Sequence, residues 1–174
     1  MGLDISAYSK LTKAVDLKLD EDGEPSREDW KTHARAWINP DWPERGLGLE
    51  HNAWYSYGDK FGFRAGSYSG YTDWREELAK LAGYPATETE SASFGSRSLH
   101  SAACWGGASG PFSELIDFSD CEGTLGPVVS KKLLDDFVTF ELAARTIGGR
   151  FFERYANWKQ AFELAAEGGM VCFH

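Results

Sequence analysis

The sequence has few of the features that most often reveal an activity. Its 174 residues include only three cysteines, and no CxxC, HExxH or paired Cys/His spacing is present. An odd number of widely separated cysteines indicates free thiols in a reducing compartment rather than a disulfide framework. The missing ligand motifs exclude the common structural zinc sites. We predict no structural metal site and no cofactor.

Long hydrophobic runs are also missing. No apolar stretch approaches the roughly 18 residues that a membrane-spanning helix requires. The opening stretch, MGLDISAYSK, lacks the basic and apolar regions of a secretory signal. We therefore expect a cytoplasmic protein without a membrane partner.

Basic residues are in the minority. The chain has 18 Lys and Arg against 27 Asp and Glu, for a net charge of −9. The whole acidic excess lies in residues 1–130, because residues 131–174 carry equal numbers of acids and bases. Direct nucleic-acid binding is disfavoured, since neutralising phosphates requires a basic face. An acidic surface instead suits a basic protein partner, although acidic charge also serves solubility alone.

Apolar and aromatic residues are plentiful, at 42% and 14% of the chain. That content is sufficient to bury a core and offset the entropy of ordering a chain of this length. We predict one domain, residues 1–174. Within it, residues 85–111 are rich in Ser, Ala, Gly and Thr and predict a long surface loop.

Hydrophobic periodicity predicts the secondary structure. Strands are expected at residues 3–7, 14–19, 114–118 and 170–174, and a hairpin is expected at 53–66. Helices are predicted after a Ser26 cap (Trp30, Ala34, Trp37), after a Thr72 cap (Trp74, Leu78, Leu81), from Pro127 (Val129, Leu133, Phe137, Phe140) and after Gly148–Gly149 (Phe151, Tyr155, Trp158, Phe162, Ala165). The fold class that follows is α+β, a mainly antiparallel sheet with three to four helices packed on it.

The densest group of reactive side chains lies in residues 115–126, LIDFSDCEGTLG. Cys121 precedes a predicted helix, and a helix N-terminus lowers the pKa of a nearby thiol, so Cys121 is a candidate nucleophile. Asp120, Glu122 and His174 are the accompanying catalytic candidates, with the histidine as base. The two acids beside the thiol oppose thiolate formation. The same residues also suit a turn that caps a helix, so a structural role stays open.

Asp117 belongs to the same stretch. In a strand over 114–118 its side chain would point outward, away from the core. A metal-binding alternative uses Asp117, Asp120, Glu122 and His174 as ligands, although loops before helices are rich in Asp for capping reasons alone. We assign no metal ligands.

A second candidate site is the segment FRAGSYSGY, residues 63–71. Tyr, Ser and Gly together favour adaptable contacts with a protein, and a Gly/Ser loop opening a helix also suits an anion. No GxGxxG or Walker spacing is present. The candidate binding residues here are Arg64, Ser67, Tyr68, Ser69 and Tyr71.

A third candidate is the acidic segment DEDGEPSRED, residues 20–29. Asp20, Glu21 and Asp22 are its candidate binding residues, directed at a basic partner. The segment does not match a calcium-binding EF-hand, because Lys18 would occupy the first ligand position.

Several stretches resemble a family of small uncharacterised bacteriophage and prophage proteins with no established activity. These stretches are NPDWPERGLGL, FRAGSYSGYTDWREELA, ELIDFSDCEGTLGPVVSKKL and AFELAAEGGMVCFH. The resemblance implies an accessory protein in the cytoplasm of a bacterial host.

Three functions are therefore considered. The first is an accessory protein that binds and modulates or inhibits a host factor, including an anti-defence or anti-CRISPR-type inhibitor that presents its acidic surface to a basic nucleic-acid-binding surface. The second is a small hydrolase or transferase that uses the Asp120-Cys121-Glu122 turn with a histidine. The third is a structural or virion-associated protein.

Overall fold

The computed structural model describes residues 2–91, 95–107, 109–118 and 123–174. In these ranges the strands are β1 (Gly2–Tyr8), β2 (Thr12–Lys13), β3 (His33–Arg35), β4 (Trp54–Ser56), β5 (Lys60–Ser67), β6 (Thr87–Ser91), β7 (Gly95–Leu99), β8 (Gly123–Leu125) and β9 (Met170–Phe173). The α-helices are α1 (Tyr68–Leu81), α2 (Ser113–Ile116), α3 (Pro127–Ile147) and α4 (Gly149–Ala165). Short 3₁₀ helices occur at Asp29–Lys31, Pro43–Gly46 and Ser101–Cys104.

The main sheet has four strands in the order β5-β1-β9-β8, and every neighbouring pair is antiparallel. A second sheet has the order β2-β4-β3, and β6 pairs with β7 alone. The prediction of an α+β fold with a mainly antiparallel sheet is confirmed. The first and last strands of the chain are neighbours at the centre of the main sheet, so the fold closes only when both ends are present.

One face of the main sheet is covered by helices. Leu3, Ile5 and Ala7 alternate along β1 as predicted, and all three are buried against this layer together with Val171 and Phe173 of β9. Because successive side chains of a strand point to opposite faces of the sheet, one set lies in the core and the intervening set lies on the other face.

Helices α3 and α4 form as predicted and pack against each other. Every residue of the predicted α4 stripe is buried, from Phe151 to Ala165. The helices separate at Gly148, whose φ of 67° lies in the region that favours glycine. The chain therefore turns there without the strain that a side chain would add.

Helix α1 begins one turn earlier than predicted. Ser67 is extended and its hydroxyl accepts the backbone N–H of Gly70 at 3.0 Å, which makes Ser67 the N-cap. Thr72 was the wrong cap, because it lies inside the helix and donates to the carbonyl of Tyr68 at 3.1 Å. The predicted apolar stripe is confirmed at Trp74 and Leu78, which are buried.

The predicted helix after Ser26 is wrong. Ser26 does bond Asp29 in the expected way, since its hydroxyl accepts the Asp29 backbone N–H at 3.2 Å; it also donates to the Asp29 carboxylate at 2.7 Å. The helix ends after a single 3₁₀ turn, and His33–Arg35 instead pairs with β4. Strand pairing with a distant segment overrides the local helical spacing, and only Ala34 of the predicted stripe is buried.

The strand predicted at 14–19 is also wrong. Pairing with β4 stops at Lys13, and the apolar side chains beyond it do not enter the core: Val15 is 81% exposed and Leu19 is 45% exposed. Strand β1 pairs with β5 and β9 rather than with this segment.

The predicted hairpin at 53–66 does not form. Its two halves become β4 and β5, which belong to different sheets. Buried Ser9 explains the separation, because its carbonyl accepts from Gly58, its amide donates to Asp59 and its hydroxyl accepts from Asp59. These bonds hold the 58–59 turn against the end of β1.

The strand predicted at 114–118 is wrong as well. Residues Ser113–Ile116 form the short helix α2, and the Asp117 amide continues the turn by donating to the Ser113 carbonyl at 3.0 Å. Consecutive burial of Leu115 and Ile116 suits a helix inserted between other helices, whereas a strand would have alternated.

The segment predicted as a surface loop, 85–111, contains the exposed hairpin β6–β7 and a 3₁₀ turn. The carboxylate of Glu76 on α1 fixes that turn by accepting from the amides of His100 (3.0 Å) and Ser101 (2.9 Å) and from the Ser101 hydroxyl (2.9 Å). Desolvation opposes the charge of Glu76, but these bonds outweigh it and hold its pKa below the ordinary 4.5.

Within the described residues, none of the helices is both long enough and apolar enough for a bilayer crossing.

We expect Trp158→Ala to lower the free energy of unfolding by about 3 to 5 kcal/mol. Trp158 is buried and its ring lies against five others, those of Phe63, Tyr71, Trp74, Phe162 and Phe173. Urea denaturation at neutral pH measures the change. The control is Trp105→Ala, which removes an indole that is 51% exposed and should change stability by less than about 0.5 kcal/mol. Equal effects of the two variants would contradict this core.

We expect Glu76→Gln to destabilise the protein by about 1 to 2 kcal/mol at pH 7, because a neutral amide accepts these hydrogen bonds less strongly. The stabilisation from a lowered carboxyl pKa is present above 4.5 and is lost as the pH falls through the lower folded-state value. The difference between wild type and variant should therefore shrink in urea denaturation below about pH 4. A difference that does not depend on pH would contradict the charged role of Glu76.

Candidate functional site

A groove of about 560 Å³ lies between the helix-free face of the main sheet and strand β3. We call it the inter-sheet groove. Its lining comprises Ser6, Tyr8, Trp30, His33, Ala34, Arg35, Trp37, Lys60, Gly123, Thr124, Cys172, Phe173 and His174. It exists because the second sheet covers only part of that face, through contacts of Ala34 and Ala36 with Tyr8, Met170 and Cys172.

The floor of the groove carries hydroxyl and thiol groups. Ser6 and Tyr8 come from β1, Thr124 from β8 and Cys172 from β9, on the face opposite the helices. Thr124 also accepts the backbone N–H of Trp37 at 3.2 Å, which joins the two sheets. Burial raises the pKa of Tyr8 to about 12, so its phenol stays neutral.

Cys172 is not suited to nucleophilic chemistry. Burial raises the pKa of its thiol to about 11, and the side chain lies 3.6 Å from the Thr124 hydroxyl. Burial also raises the pKa of Cys104, away from the groove. Both thiols therefore remain protonated at neutral pH.

Aromatic and nitrogen-bearing side chains form the wall on the β3 side. Trp30 is 52% exposed and packs edge-on against Trp54 at 5.2 Å. Trp37 is 37% exposed, and the ring nitrogen Nδ1 of His33 lies 3.2 Å from the Asp29 carbonyl. These residues present exposed ring surfaces that are held in place from behind.

Two cations face the groove. Arg35 forms an ion pair with Glu24, whose carboxylate lies 3.1 Å from the guanidinium. Lys60 lies over the Tyr8 ring, with its ammonium 5.4 Å from the ring centre, and it forms no ion pair with any residue that the structure describes. No Asp or Glu side chain among the described residues lines the groove. Among the described lining residues, Lys60 therefore supplies a positive charge without an ion-pair partner.

The catalytic candidates Asp120, Cys121 and Glu122 lie outside the described residues. His174 follows β9 and lines the groove, and its backbone exchanges hydrogen bonds of 2.9 and 3.2 Å with Asp4. Strand β8 begins at Gly123 and pairs with Phe173, the residue before His174.

The expectation that Asp117 points outward is wrong. Its side chain is buried, because helix α2 replaces the predicted strand. Burial raises its pKa, although Arg45 and Arg75 oppose that shift and the Gly107 amide donates to the carboxylate. Asp117 therefore belongs to the interior.

The FRAGSYSGY segment is mostly structural. Tyr71 is fully buried and donates to the Phe118 carbonyl at 3.0 Å, so its prediction as a surface binding residue is wrong. Tyr68 packs against the core, and Ser67 caps α1 while its hydroxyl lies 3.1 Å from that of Ser69. Arg64 is exposed and pairs with Asp4 at 3.6 Å. The first turn of α1, rather than a free loop, occupies these positions.

The acidic turn, residues 20–24, lies close to the groove. The Asp20 side chain stabilises this turn, since its carboxylate accepts hydrogen bonds from the backbone amides of Asp22 (3.0 Å) and Glu24 (2.9 Å). Glu21 and Asp22 are exposed at the tip. The Glu24–Arg35 pair connects the turn to the groove wall. The start of α1 in the FRAGSYSGY segment is more distant, because about 23 Å of strand β5 separates Lys60 from Ser67.

Sequence analysis did not predict the groove residues Lys60, Trp30 and Trp37 as a site. No sequence spacing connects them, because β5 and the turn before β3 meet only through the two sheets. The available signal was the tryptophan content, with seven in the chain. Of the predicted site residues that the structure describes, only His174 lines the groove.

Within the described residues, no group of three or more His, Cys, Asp or Glu side chains is arranged to hold a metal ion. Comparisons of the chain with family models, with curated proteins and with solved structures find no match.

We expect iodoacetamide to leave Cys104 and Cys172 unmodified in the folded protein at pH 8 and to modify both in urea. Both side chains are buried and their thiols are protonated. Peptide mass spectrometry locates the label, and the urea sample is the control for reactivity. Fast labelling of Cys172 in the folded protein would contradict the buried position of its thiol.

Proposed function

We propose that this chain is an accessory protein of bacteriophage or prophage type that binds a host protein in the bacterial cytoplasm and modulates or inhibits it. One observation supports this proposal most directly: large apolar side chains are exposed next to the acidic turn. Val15, Leu19 and Trp30 all belong to the segment that flanks this turn on both sides. We call the surface made by these three residues with Glu21 and Asp22 the acidic face.

The composition of the acidic face is that of a protein interface. Solvent-exposed tryptophan is unfavourable for a free surface and is enriched among the residues that dominate binding energy. Trp30 is held in place by Trp54, so little side-chain entropy is lost on binding. Charged residues at the edge of such a patch set the approach and the choice of partner.

The charge of the acidic face indicates the kind of partner. Glu21 and Asp22 have no basic neighbour in an ion pair within the described part of the chain. Their field attracts a basic surface, and the overall charge of −9 strengthens that attraction at a distance. A host protein that itself binds nucleic acid presents such a surface, which includes the nucleases and CRISPR complexes of host defence. In this proposal, the acidic face competes with nucleic acid for that surface.

A second candidate is a hydrolase or transferase that uses Asp120, Cys121 and Glu122 with His174. The observation in its favour is that His174 follows the β9 residue that pairs with Gly123, the first residue of β8. If the protein is such an enzyme, Cys121→Ser would abolish turnover. If it is the host-binding protein proposed first, Cys121→Ser would leave partner binding unchanged.

We expect the double variant Glu21→Lys/Asp22→Lys to lose its host partner. Affinity capture from bacterial lysate with quantitative mass spectrometry identifies a protein bound by wild type, and titration calorimetry then measures its affinity. Reversal of two interfacial charges should weaken binding at least about tenfold, or 1.4 kcal/mol. The loss should grow smaller as salt is added, because salt screens exposed charges.

The matched control is Asp135→Lys/Glu153→Lys, which makes the same change in net charge on exposed positions of α3 and α4, in the helical layer on the other side of the main sheet. This control should bind like wild type. Equal loss in both double variants would show that net charge alone matters and would overturn the acidic face as the interface.

A further inference from the structure

The inter-sheet groove has the size and the chemistry of a ligand site, and it shares Trp30 with the neighbouring acidic face. Its volume of about 560 Å³ lies within the range of roughly 300 to 1,000 Å³ that small-molecule sites occupy. It lies between two sheets that are joined by the Trp37–Thr124 hydrogen bond, so its walls are held at a fixed separation. A preformed groove requires little reorganisation when a ligand binds.

The positive charge of Lys60, at what we call the cationic end of the groove, favours an anionic ligand. The Lys60 ammonium is exposed and has no carboxylate partner in the described part of the chain, whereas most other lysines of this acidic protein form ion pairs. Its position over the Tyr8 ring keeps it at the groove. Lysine binds phosphate as a point charge. Arg35 lies on the opposite wall, where Glu24 offsets its charge.

The tryptophan rings of the aromatic wall favour a ligand that contains a flat ring. Trp30 and Trp37 both line the groove and both leave ring surface exposed. Stacking of a base on an aromatic side chain contributes about 1 to 3 kcal/mol for each base. Ser6 on the floor adds a hydroxyl group to the lining.

The chain's charge limits the size of the ligand. A nucleic-acid strand carries many phosphates, and a protein with a net charge of −9 repels most of them. A single phosphate placed at Lys60 avoids that repulsion, because no acidic side chain among the described residues lines the groove.

We propose that the inter-sheet groove binds a small ligand that carries a phosphate next to a flat ring, that is, a free nucleotide. The phosphate lies at Lys60, and the ring stacks on Trp30 or Trp37. Trp30 belongs to both surfaces, but the test of this site does not depend on the proposed function, because Lys60 is not part of the acidic face and neither Glu21 nor Asp22 lines the groove.

Titration calorimetry with three probes tests the proposal: adenosine monophosphate, adenosine and inorganic phosphate. Adenosine monophosphate should bind with submillimolar affinity, and each of the other two should bind at least about tenfold more weakly. Equal binding of adenosine would overturn the role of Lys60, and equal binding of phosphate would overturn the role of the ring. The absence of heat with adenosine monophosphate at millimolar concentration would overturn the site altogether.

Two lysine variants make the test specific. Lys60→Met keeps the aliphatic stem and removes the charge, so affinity for adenosine monophosphate should fall at least about tenfold. Lys131→Met removes a charge from an exposed lysine on α3 and should leave the affinity unchanged. Circular dichroism melting should show both variants to be folded, since both lysines are exposed.

Unchanged affinity in Lys60→Met would overturn the assignment of the phosphate to Lys60. Tighter binding of a short single-stranded DNA than of adenosine monophosphate would overturn the assignment to a free nucleotide.

Discussion

The pairing of β1 with β9 is the interaction on which the rest of the structure depends. It brings the first and last strands into the centre of the main sheet, where each has a second neighbour. The contact is close: a side chain at Gly169 would collide with the carbonyl of Tyr8. Because the pairing spans nearly the whole chain, the core and the groove both form only when the chain is folded from end to end.

The two faces of the main sheet are buried to different extents. The helical layer buries most of one face, and its stacked rings around Trp158 form the core. The small second sheet buries only part of the other face. Polar side chains such as Thr124 and Ser6 therefore form the floor of a groove. Apolar side chains at the same positions would leave apolar surface in contact with water, which is unfavourable. Incomplete coverage of a sheet is what creates the candidate site.

Charge is separated over a short distance at this site. The acidic turn points carboxylates outward at Glu21 and Asp22, while Lys60 and Arg35 face the groove. Glu24 joins the two regions through its pair with Arg35. Under the two proposals, these adjacent regions of opposite charge would attract a basic protein and an anionic ligand at different places.

The sequence by itself determined the strongly periodic elements. Strand β1 and helix α4 bury the residues that their spacing predicts, and α3 buries Val129, Leu133 and Phe137 but only part of Phe140. A long amphipathic pattern has one satisfactory arrangement against a core. The tertiary structure decided the segments with short or ambiguous patterns: 26–37, 53–66 and 114–118. Their partners lie far away in the chain, and strand pairing or helix packing with those partners overrode local preference. The groove was decided in the same way, since its lining residues meet only where two sheets come together.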